Sequence, residues 1–376
     1  MKVPYNYLPM EFRRSDKILS HWRKLIRSTD FTLGKYMVEF EKKFSKYIGA
    51  KYVISTNNGT DALILSLKSI GVKKGDEVIT VSNTFYASVG AIVACGAKPI
   101  LVDCDDRYQI DIKEIKKKIN KRTKAIMPVH WGGASPDMFS IIKLAKKYKI
   151  HVVEDACMGI GAKINGKSPG TFGTINAFSM HPLKSLNVMG DGGMVATNNK
   201  KIFDWIKKFR NHGMTDRDHI EFWGVNMRLQ PLQAIVAIEG LEKIDNVIKK
   251  RNKNAKRMDS LLSTLSPNLI IPKRPKGYRE TFALYMCLVK SRDKLLKYLI
   301  KNKIEAKIHY PIPLNKQKAA RNLKLNQKDF TNANGQAKKI ITLPIHQYLS
   351  KKQISYIAHK IKNFYKKQKH NKTLKK

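Results

Sequence analysis

A single lysine, Lys184, lies in a tight segment of the chain where a surface charge has no obvious purpose. An apolar, strand-like run ends at Phe178, and Gly192 and Gly193 follow Asp191, directly before a second apolar run. A lysine amine becomes a nucleophile when burial or a nearby cation lowers its pKa. Most lone lysines are solvated surface residues, so Lys184 is a candidate nucleophile only if other residues supply the rest of a site.

A glycine and a threonine open a predicted helix directly after a predicted strand, in the sequence NNGTDAL at positions 57–63. Gly59 turns the chain there, and Thr60 begins the helix. The free N–H groups and the dipole at a helix start suit a bound phosphate. Thr60 could instead be an ordinary helix cap, so this segment alone leaves both interpretations open.

Two carboxylates and an aromatic residue also follow predicted strands. Glu154 and Asp155 end an apolar strand, where consecutive side chains point to opposite faces, so one can enter a site while the other meets solvent or a helix. A buried carboxylate needs a partner, and a protonated ring nitrogen is one; a helix-capping aspartate is the alternative. Phe85 can stack on a flat ring or can belong to the core.

Together these residues match the requirements of one cofactor, pyridoxal phosphate. The cofactor needs a lysine for a Schiff base, a phosphate cradle, an aromatic stacking partner and an acid at its ring nitrogen. The acid keeps the nitrogen protonated, so that the ring can take up the electrons of a carbanion. Each feature alone has an ordinary structural explanation, whereas their joint occurrence favours a pyridoxal-phosphate enzyme.

The elements that must position these residues alternate between strands and helices. Predicted strands are KYVIST (51–56), DEVITV, PILVDCD, KAIMPVHW, HVVEDA, INAFSM and GMVATN, and predicted helices include DALILSLKSI, YASVGAIVACG and 137–148. This alternation, with apolar strands, indicates an α/β fold with a largely parallel sheet covered on both faces. Ligands bind at the strand ends of such sheets, where the candidate residues lie.

The regular alternation of predicted strands and helices ends after Arg228. A long amphipathic helix is predicted over 229–262, followed by a strand (ETFALYMCLVK), a helix (DKLLKYLIKNK), a strand (IEAKIHY) and a helix from Ser350. We therefore expect a large domain over 1–245 and a smaller α+β domain over 246–376.

Composition narrows the class of protein. The 376 residues, 42% of them hydrophobic, can form one large and one smaller core, and no apolar run of membrane-spanning length or secretory start is present. The 4 scattered cysteines indicate a reduced, cytoplasmic protein without a structural metal site. The net charge of +44 could attract nucleic acid, but the lysines are spread along helical faces, so we expect no nucleic-acid partner and a solvated basic tail over 365–376.

The order and spacing of these motifs resemble the DegT/DnrJ/EryC1/StrS sugar aminotransferases. These are pyridoxal-phosphate enzymes of fold type I, with an aspartate aminotransferase-like large domain and a smaller C-terminal domain. The resemblance covers nearly the whole chain, through GKYMVEFEKKFSKYIGAKYVIST, NNGTDAL, GDEVITVSNTFYAS, VEDACMGIGA, FSMHPLKSLNVMGDGGMVAT, RNHG, GVNMRLQPLQAIVA, HYPIPLNKQKA and LPIHQYLS.

The resemblance implies a role for each candidate residue. Lys184 matches the Schiff-base lysine, and Asp155 matches the acid at the pyridine nitrogen. The implied phosphate contacts are Gly59, Thr60 and Ser179, and the implied stacking residue is Phe85.

Two further matches concern the partner subunit and the substrate. Asn226 matches an asparagine that reaches the cofactor phosphate of the neighbouring subunit, which implies a homodimer with shared active sites. Tyr310, in the HYPIP segment, is expected to face the substrate.

The chain departs from the family pattern at two positions. Met158 stands where a glutamine usually contacts the cofactor's phenolic oxygen, and a thioether cannot donate that hydrogen bond. Asn315 stands where the loop after HYPIP usually carries a histidine, which could alter sugar recognition.

The implied reaction is amino transfer from L-glutamate to a nucleotide-linked keto-sugar, in O-antigen, capsule or antibiotic pathways. The ketone at C3 or C4 and the carrier, dTDP, UDP or GDP, are left open, with a slight preference for a 3-keto sugar. One competing hypothesis is a sugar dehydratase that uses pyridoxamine phosphate and has histidine in place of the lysine; His181 is close, but Lys184 fills that position. Two more competing hypotheses are a non-catalytic regulator that binds the cofactor and a basic nucleic-acid-binding protein.

Overall fold

The structure, a computed structural model, describes residues 1–373, with side chains described to residue 368. The helices are α1 (Leu8–Glu11), α2 (Asp16–Ser28), α3 (Lys35–Ile48), α4 (Gly59–Ser69), α5 (Tyr86–Ala94), α6 (Ile112–Lys118), α7 (Met138–Tyr148), α8 (Lys200–Phe209), α9 (Pro231–Leu262), α10 (Arg292–Lys301), α11 (Thr331–Lys339) and α12 (Lys351–Thr373). The strands are β1 (Tyr52–Thr56), β2 (Glu77–Val81), β3 (Lys98–Val102), β4 (Thr123–Met127), β5 (His151–Asp155), β6 (Lys163–Ile164), β7 (Ile175–Ser179), β8 (Gly193–Thr197), β9 (Leu269–Ile270), β10 (Tyr278–Arg279), β11 (Tyr285–Val289) and β12 (Ile340–Leu343).

A seven-stranded sheet forms the centre of the large part, in the order β1-β8-β7-β5-β4-β2-β3. The strands from β7 to β3 pair in parallel, while β8 pairs antiparallel with both β7 and β1. The predicted α/β class and the predicted close pair of strands, INAFSM and GMVATN, are therefore confirmed. Strands β2, β7 and β8 are buried along their whole length, as strands with mostly apolar sequences in a sheet covered on both faces are.

Helices cover both faces of this sheet, and consecutive strand residues face opposite layers. Ala177 packs on the face covered by α4, α5 and α8. Phe178, the next residue, packs on the other face, in a cluster with Phe40 of α3 and Ile235 of α9. This two-sided burial fixes the register of the strands, because a shift by one residue would exchange the two faces.

The C-terminal part contains a three-stranded antiparallel sheet in the order β12-β11-β9, packed against α10 and α12. Helix α9 runs without interruption through position 245 into this part: Ile248 packs in the large core, whereas Ala255 packs in the C-terminal one. Val3 also packs in the C-terminal core and bridges to Ile304. The division at 1–245 and 246–376 stays a prediction.

Two predicted features of the C-terminal part have different outcomes. The strand expected over IEAKIHY does not form, because Ile304 bridges to Val3 whereas Lys307 bridges to Thr342, and two separate partners do not build a ladder. The helix expected from Ser350 is confirmed: the Ser350 hydroxyl accepts from the Gln353 N–H at 3.1 Å. The predicted solvated tail falls partly outside the described residues.

Within residues 1–373, no helix has the length and hydropathy needed to cross a membrane.

Candidate active site

A large pocket opens at the carboxyl ends of the parallel strands. Residues that follow β2, β4, β5 and β7 line its floor, the start of α4 lines one side, and the N-terminal segment and the segment at 307–310 close it. Its walls include Tyr5, Tyr7, Gly59, Thr60, Phe85, Trp131, Asp155, Cys157, Met158, Ser179, His181, Lys184, Asp191, Lys307, His309 and Tyr310. Eight of the sequence-predicted site residues therefore lie together in one cavity.

Lys184 projects into this pocket from the irregular loop that follows β7, residues 180–192, called the lysine loop below. Its backbone N–H donates to the His181 carbonyl at 2.8 Å, and its own carbonyl accepts from the Tyr7 hydroxyl at 2.9 Å. The side chain is partly accessible through the pocket, yet enough protein surrounds it that burial lowers the pKa of the amine, against the opposing effects of Cys157 and Asp155. A lowered pKa increases the neutral, nucleophilic fraction of the amine at neutral pH.

Asp155 presents its carboxylate to the floor of the pocket from the last position of β5. The Ser88 hydroxyl donates to Oδ2 at 2.7 Å, and the Cys157 N–H donates to Oδ1 at 3.2 Å. Burial raises the pKa of the Cys157 thiol well above its usual value, so the thiol beside Asp155 stays neutral. These two hydrogen bonds hold the carboxyl group of Asp155 in one orientation on the pocket floor.

Glu154 points to the opposite face, where it meets neither solvent nor the start of a helix. The side chain is fully buried, and Oε2 lies 2.9 Å from His130 Nε2. Three backbone N–H groups of the 170–173 loop also donate to it, at 2.6–2.8 Å. The expectation of solvent or a helix for the second carboxylate was therefore wrong: Glu154 fixes a buried loop.

The start of α4 lies against the end of β7. Asn58, not Thr60, is the helix cap, since its side chain accepts from the Asp61 N–H at 2.8 Å. A Cβ added to Gly59 would lie 2.7 Å from Ser179 Cβ, closer than real Cβ contacts. Glycine therefore allows the first turn of α4 to approach Ser179, and the free N–H groups and the Ser179 hydroxyl form a cradle that suits an anion.

Aromatic rings line one wall of the pocket. Phe85 is 42% exposed, so it belongs to the pocket rather than to the core. Its ring centroid lies 4.3 Å from that of Tyr86 and 6.2 Å from that of Tyr310, and the Trp131 ring lies 5.6 Å from Tyr310. Burial raises the pKa of Tyr310 to about 12, so its hydroxyl stays protonated and can donate a hydrogen bond.

Two residues singled out in the sequence lie away from this pocket. Asn226 is exposed on the loop that precedes α9, and its Oδ1 accepts from the Arg228 N–H at 3.4 Å. Asn315 is buried beside β2, where it accepts from the Ser82 hydroxyl at 2.6 Å and donates to Gln327 at 2.8 Å. Asn315 thus ties the 314–330 segment to the sheet and does not face the cavity.

Several pocket residues were missed from the sequence. Tyr5 and Tyr7 lie far from every motif in the chain, so no local signal marks them. Lys307 and His309 alternate along one segment, and that spacing is the only signal for their common direction. Burial, together with Lys307 and Lys184, lowers the pKa of His309 to about 4, so its ring is neutral at pH 7.

This arrangement fits a flat ring that carries a phosphate. The cradle beside Gly59 suits the phosphate, Phe85 offers a face for stacking, Asp155 offers a carboxyl group on the floor, and the Lys184 amine can react with a carbonyl. Among the described residues, no cluster of acidic, histidine or cysteine side chains could hold a metal ion. The cradle, the stacking ring, the carboxyl group and the lysine together fit pyridoxal phosphate.

The family model of the DegT/DnrJ/EryC1/StrS aminotransferase family matches residues 13–362. The chain is 34% identical over 368 residues to a "pleiotropic regulatory protein" of Geobacillus stearothermophilus, covering 97% of this chain and 99% of that protein. It is 36% identical over 356 residues to the dTDP-3-amino-3,6-dideoxy-alpha-D-galactopyranose transaminase of Aneurinibacillus thermoaerophilus, covering 94% and 97%.

The fold also matches a solved structure, that of ntda from Bacillus subtilis with bound cofactor PMP. The TM-score is 0.88 at 28% sequence identity, covering 96% of this chain and 85% of that one. Fold, pocket and relatives thus agree on a nucleotide-sugar aminotransferase that uses pyridoxal phosphate. The chain belongs to the DegT/DnrJ/EryC1/StrS aminotransferase family.

Proposed function

We propose that this enzyme transfers the amino group of L-glutamate to a deoxy-sugar ketone, at C3 or C4, carried on a nucleoside diphosphate. The reaction would serve cell-surface polysaccharide or amino-sugar biosynthesis. The observation that carries the proposal is the Lys184 amine, its pKa lowered by burial, in one cavity with Asp155 and the Gly59–Ser179 cradle. The relative from Aneurinibacillus, named for a 3-amino sugar, supports a 3-keto substrate.

Lys184 has two tasks in this proposal. Its amine holds the cofactor covalently until the amino donor replaces it. Once free, the Lys184 amine would act as the general base that takes the proton from the α-carbon of the donor, and then as the general acid that returns it. When bound, pyridoxal phosphate supplies an electron sink for the carbanion. In the second half-reaction Lys184 moves the proton in the opposite direction, onto the sugar carbon.

The other pocket residues bind and orient. Gly59, Thr60 and Ser179 hold the phosphate, and Phe85 stacks on the ring. Asp155 keeps the ring nitrogen protonated, supported by the hydrogen bond from Ser88 at 2.7 Å.

Two further pocket residues, Tyr310 and Met158, contact the substrate and the cofactor in this proposal. The hydroxyl of Tyr310 donates a hydrogen bond to the sugar. Met158 lines the pocket where a glutamine would donate to the cofactor's phenolic oxygen, and its side chain offers no such proton.

We also propose a homodimer in which Asn226 completes the pocket of the partner. Asn226 is exposed and lies outside its own pocket, and three exposed apolar side chains, Ile220 (48%), Trp223 (87%) and Val225 (39%), flank it. A second copy would cover these side chains.

The four free cysteines are consistent with a reducing compartment, so we place the enzyme in the cytoplasm.

The substrate is tested by incubating the enzyme with pyridoxal phosphate, ¹⁵N-labelled L-glutamate and a panel of dTDP-, UDP- and GDP-linked 3-keto and 4-keto sugars. Mass spectrometry should find ¹⁵N in one amino sugar of the panel, and NMR should place it on C3 or C4. Incorporation from another amino acid but not from glutamate would refute the donor, and failure with every sugar despite donor turnover would refute the acceptor.

Shared sites are tested by mixing two inactive variants, Lys184→Ala and Asn226→Ala, under subunit exchange. If Asn226 serves the partner's pocket, each mixed dimer contains one intact site, and about a quarter of the wild-type activity should appear at equal mixing. No recovery of activity, or full activity of Asn226→Ala alone, would contradict shared sites.

A further inference from the structure

A fully buried arginine near the lysine loop has no carboxylate partner among the described residues. Arg251 of α9 is 1% exposed, and the arginine ion pairs of the described chain are formed by Arg122, Arg210, Arg274, Arg279 and Arg292. The Nη2 of Arg251 donates to the Tyr7 hydroxyl at 2.9 Å, its Nε donates to Gln347 Oε1 at 3.0 Å, and its guanidinium carbon lies 5.1 Å from the centre of the Tyr7 ring. Burying a cation against neutral partners is costly, so this placement calls for a specific reason.

Gln347 connects the guanidinium to the carboxylate of Glu11. The amide of Gln347 accepts from Arg251 with its oxygen and donates with its nitrogen to Glu11 Oε2 at 2.5 Å. The positive charge is thus balanced at a distance, through an amide, and the guanidinium itself remains directed at Tyr7.

Tyr7 transmits this contact to the lysine loop. The side chain is 4% exposed, and its hydroxyl donates to the Lys184 carbonyl at 2.9 Å. A phenol has one proton, and because Arg251 donates to its oxygen, that proton is free for the Lys184 carbonyl. Donation from a cation also polarises the O–H group, which strengthens the second hydrogen bond.

The backbone of Lys184 itself has few other anchors, although Leu186 and Val188 of the same loop pack in the core. From Met180 to Gly192 the chain forms no helix or strand. Beyond the local turn from the Lys184 N–H to His181, the next fixed point is Ser185, whose hydroxyl donates to the Ile160 carbonyl at 2.7 Å. The Tyr7 hydrogen bond is the one that holds the backbone of Lys184 to a distant part of the described chain.

We propose that Tyr7, oriented by Arg251, is a positioning residue for Lys184. It fixes the peptide carbonyl of the lysine, so that the amine stays within reach both of the cofactor and of the carbon whose proton it moves. The proposal rests on the assignment of Lys184 made above. A single hydrogen bond of ordinary strength corresponds to about a fivefold loss in rate when it is removed, and a bond to a charged partner to more.

Tyr7→Phe tests this proposal, because it keeps the ring and its packing and removes only the hydroxyl. The chain offers a closely matched control: Tyr365 is 7% exposed, and its hydroxyl also donates to a lysine carbonyl, that of Lys290, at 2.9 Å, in the C-terminal core. Both variants should lower the unfolding midpoint by similar amounts. Only Tyr7→Phe should change the chemistry of Lys184.

Three readouts separate positioning from general stability. We expect Tyr7→Phe to slow capture of pyridoxal phosphate by the apoprotein about fivefold, to slow the glutamate half-reaction by a similar factor at unchanged KM, and to shift the pH midpoint of the lysine-bound cofactor's visible band. Tyr365→Phe should leave all three at wild-type values. Equal behaviour of the two variants would overturn the proposal.

A second pair of variants tests the part played by Arg251. Arg251→Lys keeps the positive charge but cannot donate to Tyr7 and Gln347 in the same fixed geometry. It should slow cofactor capture when Tyr7 is present, and it should cause little further slowing when it is combined with Tyr7→Phe. Additive effects would show that Arg251 does not act through Tyr7. Lys184→Ala distinguishes failure of the Lys184 assignment from failure of the positioning role. If Lys184→Ala retains the visible band, the assignment of Lys184 is wrong. If Lys184→Ala loses the band but Tyr7→Phe behaves like the wild-type protein, only the positioning role is refuted.

Discussion

The close approach of α4 to β7 gives a test of the phosphate cradle. Replacing Gly59 with alanine would place a Cβ 2.7 Å from Ser179 Cβ and 3.2 Å from Cys157 Sγ, so the two elements must separate by about 0.7 Å to reach ordinary contact at 3.4 Å. Overpacking of this kind costs about 1–3 kcal/mol. The displaced atoms are the predicted phosphate ligands, so the dissociation constant of pyridoxal phosphate should rise about fivefold to 150-fold.

The assay is a titration of apoprotein with pyridoxal phosphate, followed by visible absorbance, beside a thermal unfolding curve. Gly90→Ala is the matched control, because Gly90 lies on α5 with no atom within 4 Å of an added Cβ. That control should keep wild-type affinity and gain up to about 1 kcal/mol of stability from helix propensity. A Gly59→Ala variant that unfolds earlier but binds the cofactor with wild-type affinity would refute the cradle.

Three further predictions concern the rest of the pocket. Phe85→Ala should weaken cofactor binding about fivefold, the size of one aromatic stacking contact, with little change in unfolding temperature because the ring is 42% exposed; unchanged affinity in the same titration would argue against stacking. Asp155→Asn keeps the shape and can still accept from Ser88, yet should slow the glutamate half-reaction at least about 100-fold in stopped-flow absorbance, as loss of an electrostatic group does; a smaller effect would remove Asp155 from its role. His309 should titrate by NMR near pH 4, identified by loss of its signal in His309→Gln. Because its folded pKa is depressed below 6.5, the unfolded state binds more protons between pH 6.5 and 4, so its contribution lowers stability as pH falls through that window, by up to about 3 kcal/mol; a midpoint near 6.5 would contradict the buried, neutral ring.

Local sequence patterns were sufficient for the central sheet and for most of the pocket floor. The strand at 151–155 has an apolar centre, Val152 and Val153, and ends in two carboxylates, so both the element and the position of Asp155 follow from the sequence. Gly59 marks the turn before α4, and Gly192 and Gly193 mark the end of the lysine loop, so both irregular segments can also be located from the sequence. These features are local, and the parallel sheet then brings their ends together.

The features that the sequence did not reveal depend on distant contacts. Tyr7 reaches the Lys184 carbonyl across 177 residues, and nothing near either residue signals the pairing. The IEAKIHY segment has the alternation of a strand, but its partners lie at opposite ends of the chain. Glu154 was expected to meet solvent or a helix, because the three backbone donors that surround it belong to a loop without a pattern of its own.

The visible absorption spectrum of the protein with pyridoxal phosphate, before and after L-glutamate, tests the central claim most directly. The account predicts a visible band for cofactor held by Lys184, its loss in Lys184→Ala, and conversion of the wild-type band to that of pyridoxamine phosphate when glutamate is added. A Lys184→Ala variant that keeps the band, or a folded wild-type protein that never develops it, would contradict the account.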